Sequence, residues 1–212
     1  MVEGDRGGRR RLQAGRPQGH AGPARDAARV RARRASAGIV PFGRHRPRIH
    51  PTVFVSPGTW IIGQVTIERD ASVWFGAVIR GDAYPIVVGP ETLVADNVVL
   101  HGKVTTGRAC ILGHGAVLHD CVLGDRAVVG ANAVVFNATV GEGSIVTIGS
   151  VVYPGTVIPP HTVFRNGAGV TPPRLEPIGD RLKTWNVDFY RGLVAVYRQT
   201  PARRRRAKRK PR

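Results

Sequence analysis

Apolar residues recur at intervals of six through the centre of the chain, with two intervals of five near the end. The register begins at Ile49, is interrupted once between Ile79 and Val88, and is polar only at Thr106. Its members are Ile49, Val55, Ile61, Ile67, Val73, Ile79, Val88, Val94, Leu100, Thr106, Leu112, Leu118, Leu123, Val129, Val135, Val140, Val146, Val152 and Ile158. A short fixed period is typical of a stacked array, in which each unit buries its apolar face against its neighbours.

This spacing predicts short strands rather than helices. A second small or apolar residue, such as Val65 or Ala77, stands four positions after most register residues. Both positions then point inward on one strand, and the enrichment in Val and Ile favours β-structure. Three sides of six residues give coils of 18, and sides of six, six and five after Leu118 predict later coils of 17. We predict an all-β fold, a three-sided parallel β-helix of hexapeptide repeats, over residues 47–173.

The residues after this array predict one helix. Several prolines interrupt the hexapeptide pattern towards its end, the last two at Pro172 and Pro173. Apolar residues then recur at intervals of three or four: Ile178, Leu182, Trp185, Phe189, Leu193 and Val196. This spacing indicates an amphipathic helix. We expect a C-terminal helix within residues 174–199, packed on the outside of the solenoid.

The charge is concentrated at the two ends of the chain. Of a formal net charge of +18, residues 1–48 contribute +10, residues 49–197 contribute −1 and residues 198–212 contribute +9. Charge blocks that are poor in aliphatic residues cannot bury enough surface to offset chain entropy. We therefore expect disordered basic extensions at residues 1–46 and 200–212.

These extensions predict nucleic-acid binding only weakly. The arginines at 203–206 would release counterions from phosphates on binding, but no aromatic residue is interleaved to stack on bases. A solvated tail is the simpler interpretation of such a charge run. Nucleic acid is therefore the less favoured partner of the two basic tails.

Other features of the sequence suggest a cytoplasmic protein without membrane contact. No stretch approaches the roughly 20 apolar residues of a membrane span. The first 37 residues contain no apolar core like that of a secretory signal. Cys110 and Cys121 lack the paired spacing of a zinc knuckle or a redox motif. We interpret them as structural thiols in a reducing compartment.

Two histidines fall in one column when the coils are aligned. The column contains, in successive coils, Ile62, Arg80, His101, His119, Phe136 and Tyr153, and its side chains face outward. Neighbouring coils lie about 4.8 Å apart, so His101 and His119 are stacked neighbours although they are 18 residues apart. Two imidazoles at that separation can converge on one ion, since zinc–nitrogen distances are about 2.0–2.1 Å.

His114 lies on the second side of the same coil as His119, so it looks out over a different face of the prism. Within one chain it does not reach an ion bound by His101 and His119. If three prisms pack around a threefold axis, the second face of one subunit opposes the third face of the next. His114 then completes the site across the interface. This hypothesis predicts three identical metal sites per homotrimer, against the alternative that each histidine is merely solvated.

Three motifs carry a resemblance to a known family. They are Arg80-Gly81-Asp82, the run Asp-Asn-Val-Val-Leu-His at residues 96–101, and the run Gly-His-Gly-Ala-Val-Leu-His at residues 113–119. With these motifs in this order, residues 47–173 resemble the γ-class carbonic anhydrase family. The resemblance implies that the solenoid is a left-handed β-helix and that the protein is a homotrimer.

The resemblance also implies a site and a reaction. It implies that His101, His114 and His119 bind a divalent metal between subunits, and that Arg80 and Asp82 form an intersubunit ion pair beside it. Zinc is the first expectation, although imidazole also suits iron and cobalt. The implied activity is that of a lyase, the reversible hydration of CO2 to bicarbonate. Three neutral imidazoles leave a position for water, whose pKa the metal lowers to about 7, and the resulting hydroxide attacks CO2.

Two departures from the family pattern predict weak or absent turnover. Many members have a glutamine that orients the reacting water six residues before the first histidine, and Ala95 stands there. Well-studied active members also have acidic residues on a loop after that histidine, whereas residues 102–113 contain none. Metal binding is therefore expected even if hydration is slow.

Two other functions remain open from the sequence. A hexapeptide-repeat acyltransferase would bind acyl-CoA between prisms and use one histidine as a general base, without a metal. A non-catalytic trimeric scaffold would use its clustered basic tails to bind an acidic surface. The pairing of His101 with His119 and the Arg80-Gly81-Asp82 motif favour the metalloenzyme over the acyltransferase.

Overall fold

The fold is that of a three-sided solenoid with one helix against its second side. The computed structural model describes residues 37–167, 170–177 and 187–199. The predicted basic tails lie outside these ranges, apart from residues 37–46, so their predicted disorder stays a prediction. Nothing in the described part of the chain has both the length and the apolarity of a membrane-crossing helix.

Ten strands form one sheet that covers the first and third sides of the prism. They are β1 (Gly38–Val40), β2 (Arg48–Ile49), β4 (Trp60–Ile67), β6 (Val78–Val88), β8 (Val99–Thr106), β10 (Val117–Leu123), β12 (Val134–Phe136), β13 (Thr139–Val140), β15 (Val151–Val152) and β16 (Val157–Ile158). The longer strands β4, β6, β8 and β10 continue around the corner between the two sides. Each strand pairs in parallel with the strand one coil away.

Eight strands form the second sheet, which is the second side of the prism. They are β3 (Phe54–Val55), β5 (Ser72–Val73), β7 (Leu93–Val94), β9 (Ile111–Leu112), β11 (Val128–Val129), β14 (Ile145–Val146), β17 (Thr162–Gly167) and β18 (Val170–Pro177). All of these pairings are parallel except that of β17 with β18. The predicted all-β, left-handed β-helix with a C-terminal helix is thereby confirmed.

The predicted register forms the core. From Ile61 to Ile158 every register residue is at most 3% exposed, including Thr106, while Ile49 and Val55 are partly buried against the same cluster. Thr106 is tolerated because its hydroxyl oxygen accepts a hydrogen bond from the backbone N–H of Gly89. Each coil buries its apolar side chains only against the adjacent coils, as a solenoid requires.

Coil length changes at the corner that carries the histidines. The third-side partners Val99 and Val117 are 18 residues apart, whereas Val117 and Val134 are 17 apart, as predicted. The prediction of 17 for every later coil was wrong, because Val140 pairs with Ile158, 18 residues on. The corner after β15 contains the additional residue.

The interruption of the register after Ile79 is a loop in β6. Gly63 pairs with Gly81 and Val65 pairs with Ile86, so β6 contains three more residues than β4 between these pairs. The extra residues bulge outward, and residues 83–85 are exposed. This bulge brings Asp82 to the histidine column.

Two predicted boundaries need correction. The first coil begins at Gly38 rather than after residue 46, because β1 pairs with the start of β4, Trp60–Ile62. At the other end, residues 174–177 belong to β18 rather than to a helix, since β18 folds back on β17 as an antiparallel hairpin. The prolines there do not prevent an edge strand, where missing N–H donors are tolerated.

The C-terminal helix α1 spans Val187–Gln199. The predicted positions Ile178, Leu182 and Trp185 lie outside the described residues. The Tyr190 ring meets Trp74 edge-on at 5.2 Å between ring centroids, and the Tyr197 ring lies 5.6 Å from the same indole. Phe54 also contacts Tyr197, at 6.0 Å. An aromatic cluster thus holds α1 against the second side.

Candidate metal centre

The outward column of the third side is formed as the hexapeptide spacing predicts. Backbone partners run from Ile62 to Arg80, from Arg80 to His101, from His101 to His119 and from His119 to Phe136. The ring centroids of His101 and His119 are 5.0 Å apart with an interplanar angle of 68°. The His119 ring also stacks on Phe136 at 4.6 Å. Two imidazoles are therefore adjacent on one face, and an aromatic ring supports one of them.

His101 is bonded to the Arg80-Gly81-Asp82 motif. Its Nε2 lies 3.2 Å from Oδ1 of Asp82, while Oδ2 of Asp82 accepts a short hydrogen bond from Arg80. The ion pair of Arg80 with Asp82, expected between subunits, thus forms within one chain. Partial desolvation tends to raise the pKa of Asp82, but the hydrogen bonds from Arg80, the Ala83 N–H and His101 outweigh it, so this pKa lies below 3.8. Asp82 is therefore ionised at neutral pH. As a carboxylate that accepts the Nε2–H proton, it leaves Nδ1 of His101 as the basic nitrogen.

His119 lies beside a second carboxylate at the tightened corner. Oδ2 of Asp120 is 2.9 Å from Nδ1 of His119, yet the direction does not meet hydrogen-bond geometry, so this buried nitrogen has no hydrogen-bond partner within the described structure. Oδ1 of Asp120 accepts the backbone N–H of Lys103 at 2.7 Å. An unsatisfied buried nitrogen costs free energy unless another group pairs with it.

Gly102 makes this corner possible. Its φ of +70° lies in the left-handed region, and a Cβ there would clash with the Asp120 carboxylate and come within 3.0 Å of Cε1 of His119. Glycine has no Cβ and adopts positive φ at little cost. The glycine directly after the first histidine therefore allows the second imidazole and its carboxylate to approach.

His114 occupies the turn between β9 and β10, apart from the other two histidines. Its Nδ1 lies 2.9 Å from Oδ2 of Asp96, and its Nε2 lies 3.1 Å from the hydroxyl of Tyr190 on α1. The Asp96 charge beside Nδ1 favours the tautomer that carries its proton on Nδ1, and in that tautomer Nε2 accepts the hydrogen bond that the tyrosine hydroxyl donates. Burial raises the pKa of Tyr190 above its usual 10.0, and the Asp96 charge adds to this, so the hydroxyl stays protonated as a donor.

The single chain brings together two of the three predicted metal ligands. His101 and His119 are in ring contact, whereas the contacts of His114 are with Asp96 and Tyr190. Accordingly, no group of three His, Cys, Asp or Glu side chains among the described residues could hold a metal ion. A complete three-histidine site requires a second subunit.

The donor set fits a divalent transition metal. Each of the three imidazoles has one nitrogen within 3.2 Å of a carboxylate oxygen. Imidazoles that bind zinc usually donate their other N–H to such a carboxylate, which fixes the tautomer and the ring orientation. The carboxylate beside each imidazole therefore agrees with the expected metal. The pair of His101 with Asp82 meets hydrogen-bond geometry, and Nδ1 of His119 is a buried nitrogen without a hydrogen-bond partner among the described residues.

Three residues of this centre were missed at the level of sequence. Asp96 begins one of the quoted motifs, and Asp120 directly follows His119, so an acid next to a ligand was the available signal. Tyr190 is 76 residues from His114. No spacing rule relates a helix to a solenoid turn over that distance, so only the packing of α1 shows the contact.

Another position named from the family pattern lies in the interior. Ala95, where many members have glutamine, is 1% exposed and belongs to the core cluster. A glutamine at position 95 would have to fit among packed neighbours.

Both cysteines are buried free thiols, as expected for structural residues. Burial raises the pKa of Cys110 from 9.0 to about 11 and that of Cys121 from 9.0 to about 12. Thiols that remain protonated at neutral pH are poor nucleophiles and poor metal ligands. They take no part in the candidate centre.

Comparison with known proteins places this geometry in a family. A crystal structure of a hexapeptide transferase family protein from Anaplasma phagocytophilum is 30% identical to the chain and superposes with a TM-score of 0.65. The match covers 77% of this chain and 98% of that protein. The chain belongs to the hexapeptide-repeat family of left-handed β-helix proteins, which includes the γ-class carbonic anhydrases.

Curated relatives narrow the resemblance. Gamma carbonic anhydrase 3 of Arabidopsis thaliana mitochondria is 38% identical over 93 residues, which are 39% of this chain and 36% of that protein. A probable carbonic anhydrase of Methanocaldococcus jannaschii is 40% identical over 85 residues, 38% of this chain and 54% of that protein. The chain thus spans from about a third to about half of the curated relatives' length. No protein-family model matches it.

Proposed function

We propose that this protein is a metal-dependent, γ-carbonic anhydrase-like lyase that hydrates CO2 reversibly at the interfaces of a homotrimer. The observation that carries the proposal is the ring contact of His101 with His119 on the third side of the prism, where each imidazole lies beside a carboxylate. His114 with Asp96 forms the complementary half on the second side.

An apolar outward column supports the trimer. On the third side a second column, two residues before the histidine column, consists of Trp60, Val78, Val99, Val117, Val134 and Val151. Within it Trp60 is 50% exposed and Val117 is 37% exposed. Apolar side chains in a continuous row next to polar ligands are typical of a subunit interface. Packing this face against the second side of a neighbour would bring His114 towards His101 and His119.

In the assembled site each half has a separate task. A divalent metal held by the three imidazoles would act as a Lewis acid that lowers the pKa of water to about 7. Asp82 orients His101 through a hydrogen bond, and Arg80 keeps Asp82 ionised. Asp96 and Asp120 place a negative charge beside Nδ1 of His114 and of His119. In the single chain the Tyr190 hydroxyl occupies Nε2 of His114, so this contact would open when that nitrogen binds the metal.

Zinc is the proposed metal, with iron or cobalt as alternatives that imidazole also accepts. Because residues 102–113 contain no acid to accept a proton, we expect turnover to be slow and limited by proton release. The proposed compartment is the cytoplasm, where the thiols of Cys110 and Cys121 would remain reduced. Zinc content of purified protein and subcellular fractionation would test these two points.

Mixing two inactive variants tests the intersubunit site. Neither His114→Ala nor His119→Ala trimers should bind zinc, because every interface lacks one ligand. When the two variants are unfolded together at equal concentration and reassembled, each mixed trimer gains one interface with all three histidines. Random assembly makes about three quarters of the trimers mixed, and about a third of the interfaces in a mixed trimer are complete. About a quarter of the wild-type zinc content and activity should therefore return.

The control is a mixture of His101→Ala with His119→Ala, whose defects lie on the same face. No interface in that mixture contains all three ligands, so no zinc should return. Recovery in the control, or none in the first mixture despite mixed trimers by native mass spectrometry, would exclude the shared site.

An acyltransferase remains the second candidate, because a solved relative that covers 77% of this chain is described as a hexapeptide transferase. In that function His114 or His119 would act as a general base, and acyl-CoA would lie between prisms. Protection of the protein by acetyl-CoA in a thermal shift, unchanged by a zinc chelator, would favour this candidate over the lyase.

A further inference from the structure

Glu91 gathers three guanidinium groups at the turn between β6 and β7. Arg108 lies 2.7 Å from its carboxylate, Arg191 lies 2.5 Å away and Arg69 lies 3.7 Å away. The Glu91 side chain is only 12% exposed, and its backbone N–H donates to the Arg69 carbonyl at 2.9 Å. This is a fixed, largely desolvated carboxylate within a network, and so differs from an isolated surface ion pair.

The network joins the solenoid to the helix. Arg69 and Arg108 belong to solenoid turns one coil before and one coil after Glu91, whereas Arg191 is on α1. Both oxygens of Glu91 are used: Oε1 faces Arg108 and Arg69, and Oε2 faces Arg191. The solenoid arginines therefore hold the carboxylate in the orientation that receives the arginine of α1.

Tyr190, the residue before Arg191, contacts the candidate metal centre through His114. The Tyr190 hydroxyl lies 3.1 Å from Nε2 of His114, and its ring packs edge-on against Trp74. Edge-on aromatic packing resists separation of two elements but tolerates small slides and rotations. A directional guanidinium–carboxylate contact one residue away fixes the position along and around the helix axis.

We propose that Glu91 and Arg191 are a positioning pair for the metal centre. They hold α1 in the register at which the Tyr190 hydroxyl occupies Nε2 of His114, the nitrogen that a metal ion would need. The inference rests on the proposed function for its metal readout, but its geometric part applies to the metal-free protein. In this proposal α1, a helix of 13 residues, positions Tyr190 in addition to covering Trp74.

Arg191→Gln tests the pair, with Arg108→Gln as the matched control. Both changes remove one guanidinium from Glu91, but only the first breaks the link to α1. In metal-free protein labelled with ¹⁵N-histidine, Tyr190→Phe should move the Nε2 resonance of His114, because it removes the hydroxyl donor. Arg191→Gln should move the resonance in the same direction, Arg108→Gln should leave it in place, and Arg191→Lys should restore most of it.

The metal readout is zinc affinity. Arg191→Gln should strengthen it, by about tenfold or less, because a released Tyr190 hydroxyl no longer competes for Nε2 of His114, and Arg108→Gln should change it less than twofold. If Arg191 acts through Tyr190, the Arg191→Gln/Tyr190→Phe double variant should bind zinc no more tightly than Tyr190→Phe alone. A merely structural contact would give independent, multiplying effects.

The outcomes separate the two proposals. An unmoved His114 resonance in Arg191→Gln, or equal effects of Arg191→Gln and Arg108→Gln, overturns the positioning pair whether or not zinc binds. If wild-type trimers bind no zinc while the resonance moves as expected, the positioning pair stands and the lyase proposal fails.

Discussion

The third side of the prism and the second side near α1 place histidines by different means. On the third side, His101 and His119 are backbone partners in β8 and β10, so the repeat alone brings their rings together. On the second side, His114 is oriented by Asp96 and by Tyr190, which belongs to a helix 76 residues away. The half-site of His101 and His119 therefore needs only the repeat of the solenoid, whereas the half-site of His114 also needs α1 to be docked on the second side.

The largest predicted effect concerns the two buried thiols in the interior that the second and third sides share. Cys110 lies before β9 on the second side, and Cys121 lies in β10 just past His119. Burial holds their pKa values at about 11 and about 12, above the 9.0 of an exposed thiol. The unfolded chain therefore loses these protons first as pH rises, and stability present below pH 9 is lost above it.

Between pH 9 and pH 11 the free energy of unfolding should fall by roughly 3 kcal/mol for each thiol. Urea titrations at a series of pH values would measure this slope. Cys110→Ala and Cys121→Ala should each flatten it, and both together should remove most of the excess. An identical slope in the double variant would show that other groups cause the alkaline loss.

Gly102→Ala should disturb the third side selectively. The new Cβ would need positive φ and would clash with Asp120 next to His119. We expect a loss of about 2–3 kcal/mol of stability, more than the roughly 1 kcal/mol of a left-handed alanine alone. Thermal unfolding with calorimetry would measure both.

Gly149→Ala is the matched control, because its φ is +67° and nothing lies within 4 Å of a Cβ there. Gly149→Ala should lower the stability only by the roughly 1 kcal/mol of an alanine with positive φ, and it should leave the His101–His119 contact unchanged. Equal losses in the two variants would mean that the corner at Gly102 has room to relax.

Asp96→Asn should disturb the second side alone, and by the smallest amount. The amide keeps the size of the carboxylate but removes its charge beside Nδ1 of His114. Zinc affinity should fall about tenfold, equivalent to about 1.4 kcal/mol, with little change in melting temperature. Asp70→Asn, at an exposed carboxylate that pairs with Arg69 and lies outside the three-histidine centre, is the control and should leave affinity unchanged.

Much of the fold could be predicted because a solenoid repeats one local rule. Every register residue from Ile61 to Ile158 is buried, and the column through Arg80, His101 and His119 has the predicted pairing. The register interruption after Ile79 could be seen but not interpreted. Only the structure shows it as the bulge that brings Asp82 to His101.

The parts that were mispredicted are those without a repeat. The first coil begins at Gly38 in a stretch whose composition predicted disorder, because pairing with Trp60–Ile62 supplies what its own sequence lacks. The hairpin of β17 and β18 closes the last coil with proline-rich sequence that predicted an interruption. Composition indicates how much apolar surface a segment can bury by itself. A prediction from composition fails where a neighbouring strand supplies backbone pairing.

The sequence alone determined the three-sided solenoid, its core and the stacking of His101 on His119, because inward and outward positions follow from a period that each coil repeats. Only the tertiary structure decided the contacts of Asp82, Asp120 and Tyr190 with the three histidines. Those contacts depend on a bulge, a shortened corner and a docked helix, and each is set by packing between residues that no fixed spacing relates.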